Sequence, residues 1–316
     1  MPAKRPTLRD VARAAGVSHM TVQRAIHSSL LVAPLTAERV RQQAARLGYR
    51  PDPTLSALSA YRWKQGARPS GNVLAFLDCD RTLHSKKVLE GARQEARLLG
   101  YQVDDFILPS ASSAQARLGR TLYHRGIRGL LFGPTDQPCK FEGWDWTHFA
   151  PVSLDALTHQ PALDAVAMDY FHGATLAMEH LRATGCRRIG LAIETGLQAR
   201  SGNRWLGGCL AAGLWIAVFS GNIASAIALR KWCREKRIDG VLTIHHEVHR
   251  ALHSPKVRIA FLNTFNCPPG VPRLVLDPAR IGGEGVRMLH HALLRGELGL
   301  PTEPKTISLR GTWATS

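Results

Sequence analysis

From residue 72 onward, short apolar runs alternate with longer amphipathic stretches. The runs predict strands at Val73–Leu77, Gln102–Leu108, Gly129–Phe132, Val152–Leu154, Ala165–Met168, Arg188–Ile193, Leu214–Phe219, Gly240–Ile244 and Val257–Leu262. The stretches predict helices at Lys86–Leu99, Ala114–Arg125, Phe171–Thr184, Asn222–Lys236 and Ile281–Arg295. Because strands and helices alternate, we expect parallel sheets covered by helices on both faces. The number of strands suits two similar lobes.

The first fifty residues predict three short helices, each of which begins beside a hydroxyl side chain. Thr7, Ser18 and Thr36 can each accept a hydrogen bond from the free N–H groups of a first helical turn. Gly16 is predicted to end the first helix and Gly48 the third. The positions predicted to face inward are Leu8, Val11, Ala12, Ala15, Val22, Ile26, Val40, Ala44 and Leu47.

The second of these helices, His19 to Ile26, presents polar side chains outward. With Val22 and Ile26 inward, helical spacing leaves four residues on the opposite side. They are His19, Met20, Gln23 and Arg24. The three-helix unit therefore offers polar groups to a groove.

This N-terminal pattern closely resembles the DNA-binding head-piece of the LacI family, the lactose- and galactose-repressor-type regulators. The resemblance is carried by Thr7-Leu8-Arg9-Asp10-Val11-Ala12, Ala15-Gly16-Val17-Ser18, Thr21-Val22, Arg24 and Leu47-Gly48-Tyr49-Arg50-Pro51. In that family the second helix lies in the major groove of DNA. Two alternatives are another kind of helix-turn-helix with the same A-x-x-A-G-V-S spacing, and a three-helix unit that binds protein.

The resemblance implies which side chains contact DNA. It places His19 and Met20 at base-reading positions, where methionine offers apolar contact, and Arg24 at a recurrent arginine that can bind guanine with two hydrogen bonds. Gln23 and His27 differ from the family's commoner residues, so the operator sequence cannot be borrowed. The residues implied in DNA binding are Thr7, Ser18, His19, Met20, Thr21, Gln23, Arg24, His27, Tyr49 and Leu58.

A proline-bounded segment follows the head-piece. Pro51-Asp52-Pro53 breaks the helical pattern, and Thr54 to Ala60 corresponds to the family's hinge, in which Leu58 matches a side chain that wedges into the minor groove. A linker helix packed on the body through Leu55 and Leu58 is the alternative. The predicted domains are 1–50, the DNA-binding domain, 51–70, the hinge and linker, and 71–316, a two-lobed effector-binding and dimerisation domain.

Several turn and packing motifs follow residue 72: Glu90-Gly91-Ala92, Leu99-Gly100-Tyr101, Gly126-Ile127-Arg128-Gly129-Leu130-Leu131, Glu179-His180-Leu181, Gly185-Cys186-Arg187-Arg188-Ile189-Gly190 and Asp277-Pro278-Ala279-Arg280-Ile281-Gly282. With these motifs and the order of its elements, the body resembles the periplasmic-binding-protein-like α/β body of the same family, with two parallel-sheet lobes. The predicted fold is therefore an all-α helix-turn-helix head-piece joined to this α/β body. In such bodies a small ligand lies in the cleft between the lobes. The resemblance implies Asp78, Asp155, Arg204 and His246 as effector-binding residues. Arg204 as a surface ion-pair partner and Asp155 as a loop cap are the alternatives.

Two departures bear on the effector. His246 stands where the family usually has an acid, and Ala211 to Asn222 is shorter than the family's version. An imidazole together with an arginine suits an anionic or phosphorylated ligand better than a neutral sugar. The expected effector is a sugar, a sugar phosphate or another anionic metabolite.

Charge and cysteines narrow the class of protein. The formal net charge of +17 favours a polyanionic partner. Residues 1–68 carry twelve Lys or Arg residues against Asp10, Glu38 and Asp52, so about half of the excess lies in the first fifth of the chain. The six cysteines contain no C-x-x-C pair, which argues against a compact zinc site and a disulfide scaffold. With no apolar signal segment at the start, a cytoplasmic, nucleoid-associated protein is expected.

The sequence does not have the features expected of a membrane protein or of an enzyme. The uncharged stretch from Trp205 to Leu229 is long enough to span a membrane, but its internal glycines and Ser220-Gly221-Asn222 predict a helix end, a strand and a turn. There is no G-x-S-x-G, H-E-x-x-H or G-x-x-x-x-G-K-[ST] motif, and Gly282-Gly283-Glu284-Gly285 is predicted to pack a helix. We expect no enzyme activity, no cofactor and no metal site.

The sequence therefore predicts a homodimeric regulator, a repressor, that binds a near-palindromic operator under the control of a small ligand. One alternative is a DNA-binding regulator whose body is degenerate and ligand-independent. The other is an enzyme or solute receptor with a DNA-binding appendage.

Overall fold

The computed structural model describes residues 8–18, 21–22, 25, 32–47, 72–78, 81–135, 139–253, 256–265 and 267–315. The chain divides into two compact units. One comprises residues 1–69 with 290–298, and the other comprises residues 70–289 with 299–316.

The N-terminal unit contains a small helical core. Helix α1 spans Leu8–Ala15 and helix α2 spans Pro34–Arg46, with helical residues at positions 21, 22 and 25 between them. Gly16 follows α1 with φ of 64°, the left-handed conformation that a helix-ending glycine adopts. The buried residues are Val11, Ala12, Ala15, Val22, Ala25, Ala37, Val40 and Ala44.

Two details of the predicted third helix are wrong. The helix begins at Pro34 after an extended Ala33, without a side-chain cap, so Thr36 does not cap it. A proline suits the first helical position because its fixed φ is already helical and no N–H is needed there. Leu47 is 38% exposed because the helix ends at Arg46, which leaves Leu47 as the C-cap residue rather than on the inward face.

The body contains twelve strands among its described residues. They are β1 (Val73–Asp78), β2 (Gln102–Ile107), β3 (Gly129–Phe132), β4 (Ala150–Leu154), β5 (Asp164–Met168), β6 (Arg188–Ala192), β7 (Trp215–Val218), β8 (Gly240–Thr243), β9 (Arg258–Phe261), β10 (Arg273–Val275), β11 (Thr306–Leu309) and β12 (Thr312–Ala314).

The longer segments between the strands form helices. They are α3 (Leu83–Leu98), α4 (Ser112–His124), α5 (Tyr170–Ala183), α6 (Thr195–Arg200), α7 (Arg204–Ala211), α8 (Ala226–Lys236), α9 (His246–Leu252) and α10 (Ala279–Arg295), with a short 3-10 turn at Trp146–His148.

The strands form two six-stranded sheets, which define lobe 1 and lobe 2. The order in lobe 1 is β11-β5-β4-β3-β1-β2, and every neighbouring pair is parallel. The order in lobe 2 is β12-β10-β9-β8-β6-β7, parallel except for β12 against β10. The predicted fold of two lobes with parallel-dominated sheets is confirmed.

All nine predicted strands are present, with their ends shifted by up to two residues. The segment from residue 205 to 229 forms most of α7, then β7, a turn and the start of α8, as predicted. Among the described residues, no helix is long and apolar enough to cross a membrane. Strands β10, β11 and β12 were not predicted, because each is only three or four residues long and partly exposed.

Helix α10 packs against α3 through glycines. A Cβ added at Gly282 would lie 1.9 Å from the carbonyl oxygen of Val88, and one added at Gly91 would lie 1.9 Å from that of Ala279. A Cβ added at Gly285 would lie 2.3 Å from the Leu154 side chain. The glycine cluster is thus a helix-packing surface, as predicted, and it lets two backbones approach closely.

We expect Gly282→Ala to lower the free energy of unfolding by about 2 kcal/mol, because the added methyl group clashes with backbone atoms, which cannot rotate away as a side chain can. Gly283→Ala is the matched control. Its Cβ would lie 3.7 Å from Glu95, an ordinary contact, so the higher helix propensity of alanine should stabilise the protein by up to about 1 kcal/mol. Urea denaturation of both variants measures the difference, and equal effects would contradict the packing argument.

Candidate functional site

A cleft of about 290 Å³ lies where the strands of both lobes end. Its lining residues follow the carboxyl ends of strands: Asp155 follows β4, Glu194 follows β6, Ile244 follows β8 and Asn263 follows β9. Open parallel sheets bind ligands at this edge because the loops that leave the strands converge there. The cleft therefore occupies the position predicted for a ligand site.

Asp155 is the centre of a buried hydrogen-bond network in the cleft. Its side chain is 3% exposed, and its φ of 58° lies in the left-handed region. The carboxylate accepts hydrogen bonds from His84 Nε2 at 2.8 Å, from the Tyr170 hydroxyl at 2.5 Å and from the Met168 amide at 3.2 Å. Protein donors thus hold the carboxylate in place.

The surroundings of Asp155 fix its charge and that of Tyr170. Burial raises the pKa of the Asp155 carboxyl, but the hydrogen bond from His84 and the charges of His84 and Arg200 hold that pKa below its ordinary value. Burial, followed by the nearby Asp155 charge, raises the pKa of Tyr170 well above its ordinary value. The phenol therefore stays protonated and donates its hydrogen bond to a charged carboxylate.

Arg200 connects the two lobes across the cleft. It ends α6 in lobe 2, yet it donates from Nη1 to the carbonyl oxygen of Thr135 in lobe 1 at 2.8 Å, and its Nη2 lies 4.0 Å from the Asp155 carboxylate. The Leu157 amide of lobe 1 donates to the Arg200 carbonyl oxygen at 2.9 Å. A single buried arginine thus contributes charge to the cleft and holds one side of it together.

Three buried polar atoms on the cleft lining have no hydrogen-bond partner among the described residues. Arg200 Nε and Trp205 Nε1 are donors, and Asn263 Oδ1 is an acceptor. Leaving a buried polar group unpaired costs about 1–3 kcal/mol. These atoms therefore mark a surface suited to a polar ligand.

The described part of the N-terminal unit contains the start of the second predicted helix. The Ser18 side-chain oxygen accepts a hydrogen bond from the Thr21 amide at 3.1 Å, and the Ser18 carbonyl oxygen accepts one from the Val22 amide at 3.1 Å. The predicted cap at Ser18 is confirmed. The hydroxyl groups of Ser18 and Thr21 lie at the N-terminus of the helix, where the free amides and the helix dipole attract phosphate.

The N-terminal unit is similar to a known family of bacterial regulators. Residues 7–52 match the family model described as "Bacterial regulatory proteins, lacI family". Over these residues the chain is similar to the members of that family.

Two curated relatives show how far the similarity extends. The sucrose operon repressor of Escherichia coli is 30% identical over 186 residues, which cover 58% of this chain and 54% of the relative. The HTH-type transcriptional regulator GalS of Salmonella typhimurium is 51% identical over 53 residues, which cover 17% of this chain and 16% of that protein. The chain thus matches about half the length of the sucrose operon repressor.

Among solved structures, the Lac repressor bound to ONPG in its repressed state has a TM-score of 0.61 at 20% identity. The match covers 99% of this chain and 100% of that one. A ribose operon repressor homologue from Burkholderia thailandensis also has a TM-score of 0.61, at 21% identity, and covers 78% of this chain and 99% of that one. At these identities the likeness establishes the two-lobed fold.

Of the four predicted effector residues, the structure places one in the lining of the cleft: Asp155. Asp78 is buried outside the lining, where its carboxylate accepts hydrogen bonds from Ser85 Oγ and the Arg81 amide. Arg204 and His246 are exposed first residues of α7 and α9, and neither lines the cleft. The guanidinium that does line it belongs to Arg200.

The sequence reasoning missed Arg200, His84 and Trp205 as cleft residues. Arg200 ends the short α6, which was not predicted, and His84 precedes the predicted start of α3. Trp205 is nearly fully buried. It is the first residue of the uncharged stretch from residue 205 to 229, whose length alone suggested a membrane span. The resemblance to the LacI family implied its neighbour Arg204 as an effector-binding residue instead.

Most of the predicted DNA-contacting residues lie outside the described part of the chain. Ser18 and Thr21 are described, and both stand at the start of the second helix. The predictions that lie outside are Thr7, His19, Met20, Gln23, Arg24, His27, Tyr49 and Leu58. Their roles remain predictions.

Proposed function

We propose that this protein is a LacI-family transcription repressor that binds a near-palindromic operator as a homodimer, with an affinity set by a small ligand in the cleft. The match of residues 7–52 to the family model carries the proposal. Two observations support it: the serine-capped second helix and the two-lobed body with its polar cleft. Curated relatives of the chain bear the names of repressors and HTH-type transcriptional regulators.

A second copy of the chain is the proposed partner of the body. Both sheets have an edge strand with exposed apolar side chains: Ile107 on β2, and Trp215 and Val218 on β7. Unpaired sheet edges with apolar residues favour association with another chain. A matching structure is described as a dimer of the Lac repressor bound to operator.

Recognition of specific DNA sequences should depend on Arg24. We first select the fragments of genomic DNA that the purified protein binds. Against such a fragment, we expect Arg24→Ala to weaken binding by about tenfold or more and to relax discrimination at one base pair, since a bidentate arginine–guanine contact contributes about 1–3 kcal/mol of specificity. Arg39→Ala, on the exposed surface of α2, is the matched control.

Binding should also weaken steeply with salt, with a log–log slope of several units, because phosphate contacts release counterions. Equal, weak binding of every duplex by the unmodified protein would overturn the proposed function. An enzyme or receptor with a DNA-binding appendage would keep its activity after deletion of residues 1–62, whereas a regulator would lose its function with its DNA binding.

We propose a ligand that combines hydroxyl groups with a negative charge, such as a sugar phosphate or sugar acid. The donors at Arg200 Nε and Trp205 Nε1 suit anionic or hydroxyl oxygens, and the acceptor at Asn263 Oδ1 suits a hydroxyl. The buried Arg200 adds positive charge to the lining. The volume of the cleft limits the ligand to a small molecule.

A thermal-shift screen of sugars, sugar phosphates and nucleotides tests this part of the proposal. A ligand that binds only the folded protein should raise Tm with concentration. Trp205→Phe removes one N–H donor and retains an aromatic ring, so we expect it to weaken binding by about fivefold to tenfold. If no compound raises Tm, the body is ligand-independent; if Trp205→Phe binds as well as the unmodified protein, the indole donor is not used.

We further propose that the protein acts on the nucleoid in the cytoplasm, as a regulator rather than an enzyme. The relatives named above are regulators, and the positive charge concentrated in residues 1–68 suits attachment to DNA. Fluorescence microscopy of a tagged chain over a DNA stain tests the location.

A further inference from the structure

Three segments of lobe 2 meet at the end of its sheet that faces away from the cleft. Arg188, Gly240 and Arg258 are the first residues of β6, β8 and β9. The cleft lies at the other end of these parallel strands, where Ile244 and Asn263 line it. The two ends of the sheet are therefore separate surfaces.

Asp239 holds the three segments together. Its carboxylate accepts hydrogen bonds from the amides of Arg187 and Arg188 at 2.9–3.1 Å, and its carbonyl oxygen accepts one from the Arg258 amide at 2.9 Å. The Arg258 guanidinium also donates to the carbonyl oxygen of Thr184. The three segments thus form one surface, which we name the basic end. It comprises residues 182–188, 234–239 and 256–258.

The basic end carries eight cations and two carboxylates. The cations are Arg182, Arg187, Arg188, Arg234, Lys236, Arg237, Lys256 and Arg258, and all except the half-buried Arg188 are exposed. The Asp239 carboxylate accepts hydrogen bonds from backbone amides, and the Glu235 carboxylate lies 3.9 Å from the ammonium group of Lys231, one turn earlier in α8. The surface therefore has a strong local excess of positive charge.

Support of the fold accounts for only two of these cations. Arg188 donates to the Lys236 carbonyl oxygen at 2.8 Å and Arg258 to that of Thr184, so both satisfy carbonyl groups at helix ends. The side chains of the other six form no hydrogen bond or ion pair with any residue that the structure describes. Uncompensated like charges repel one another, and a polyanion would relieve that repulsion.

We propose that the basic end binds the phosphate backbone of a second segment of duplex DNA. Six of the eight cations are arginines, whose planar guanidinium groups bind phosphate through two hydrogen bonds. Single-stranded nucleic acid is usually bound by stacking on open aromatic rings, but the Arg188 guanidinium lies 3.8 Å over the ring of Trp215 beside this surface. Duplex DNA is also the polyanion that the proposed function brings to the protein.

Charge reversal on the full-length chain tests the proposal. One variant carries Arg182→Glu, Arg234→Glu and Arg237→Glu. The matched control carries Arg117→Glu, Arg120→Glu and Lys140→Glu, which are exposed in lobe 1 and change the net charge equally. Fluorescence anisotropy measures binding of a mixed-sequence duplex of about 30 base pairs between about 50 and 300 mM KCl.

We expect the basic-end variant to bind about tenfold more weakly at low salt and to have a log–log slope smaller by about 2 to 3, since each lost phosphate contact lowers the slope by about 0.9. The control should match the unmodified protein. Equal weakening of both variants would show an effect of net charge alone, and no weakening would show that DNA does not contact this end. Either result overturns the proposal.

Two further measurements keep the outcome decisive. If the basic-end variant loses as much affinity for polyglutamate-coated beads as for duplex DNA, the surface takes acidic protein and the proposal fails. If the glutamate variant does not unfold cooperatively, Arg→Gln changes at the same three positions replace it. The unmodified protein is tested alongside with the selected genomic fragment. If it binds that fragment no more tightly than the mixed-sequence duplex, the proposed function fails, whatever the basic-end variant shows.

Discussion

Asp155→Ala should lower the free energy of unfolding by about 3–5 kcal/mol, the usual cost of removing one partner of a buried charge pair. The substitution removes the acceptor of the His84, Tyr170 and Met168 hydrogen bonds and the charge facing Arg200. It also places alanine at a φ of 58°, which aspartate tolerates better. Urea denaturation at neutral pH measures the loss.

Asp155→Asn separates charge from shape. Asparagine tolerates the left-handed conformation and retains an acceptor for the Tyr170 hydroxyl and the Met168 amide. It should therefore cost less than alanine, and the remaining loss reports the charge. If alanine and asparagine cost the same, the network contributes through charge alone, and a loss of less than about 1 kcal/mol in both would contradict the buried pair altogether.

The Asp155 charge also sets the pH dependence of this effect. Because its pKa is lower in the folded protein than its ordinary value, the carboxylate stabilises the fold above the ordinary aspartate pKa. That contribution is lost as the pH falls through the lower pKa of the folded state. The gap between the unmodified protein and Asp155→Asn should therefore narrow in acid.

His159 should make the protein about 3 kcal/mol less stable at pH 4 than above pH 6.5. Burial, followed by the nearby Arg200 charge, lowers the pKa of His159 to about 4. Between that pKa and the ordinary value of 6.5, the unfolded chain binds a proton that the folded chain does not. The stability that the neutral ring contributes is complete above pH 6.5 and is lost progressively as the pH falls toward 4.

His159→Asn removes the titrating group and retains an acceptor for the Cys139 amide, which donates to His159 Nδ1 at 3.1 Å. The difference in unfolding free energy between this variant and the unmodified protein, measured by urea denaturation from pH 7 to 4, isolates the histidine. The same replacement at the exposed His124 is the control. A difference that stays constant across this range would contradict the prediction.

Several parts of this protein followed from sequence patterns because they depend on local physics. Apolar runs bounded by turn residues gave the nine predicted strands, and parallel pairing followed from their alternation with helices. The cleft between the lobes was implied by the resemblance of the body to a known family. The cap at Ser18 and the turn at Gly16 depend on the conformations of single residues. The glycines of α10 were assigned to packing because they lie within a helical pattern.

What only the tertiary structure decided is which side chains meet across long distances in sequence. Arg200 and Arg204 are four residues apart, but the left-handed Asn203 separates two helices and sends one guanidinium into the cleft and the other to the surface. The pairing of His84 with Asp155 spans 71 residues, and the basic end joins three segments around Asp239. Such contacts are set by the packing of whole elements, which no local periodicity records.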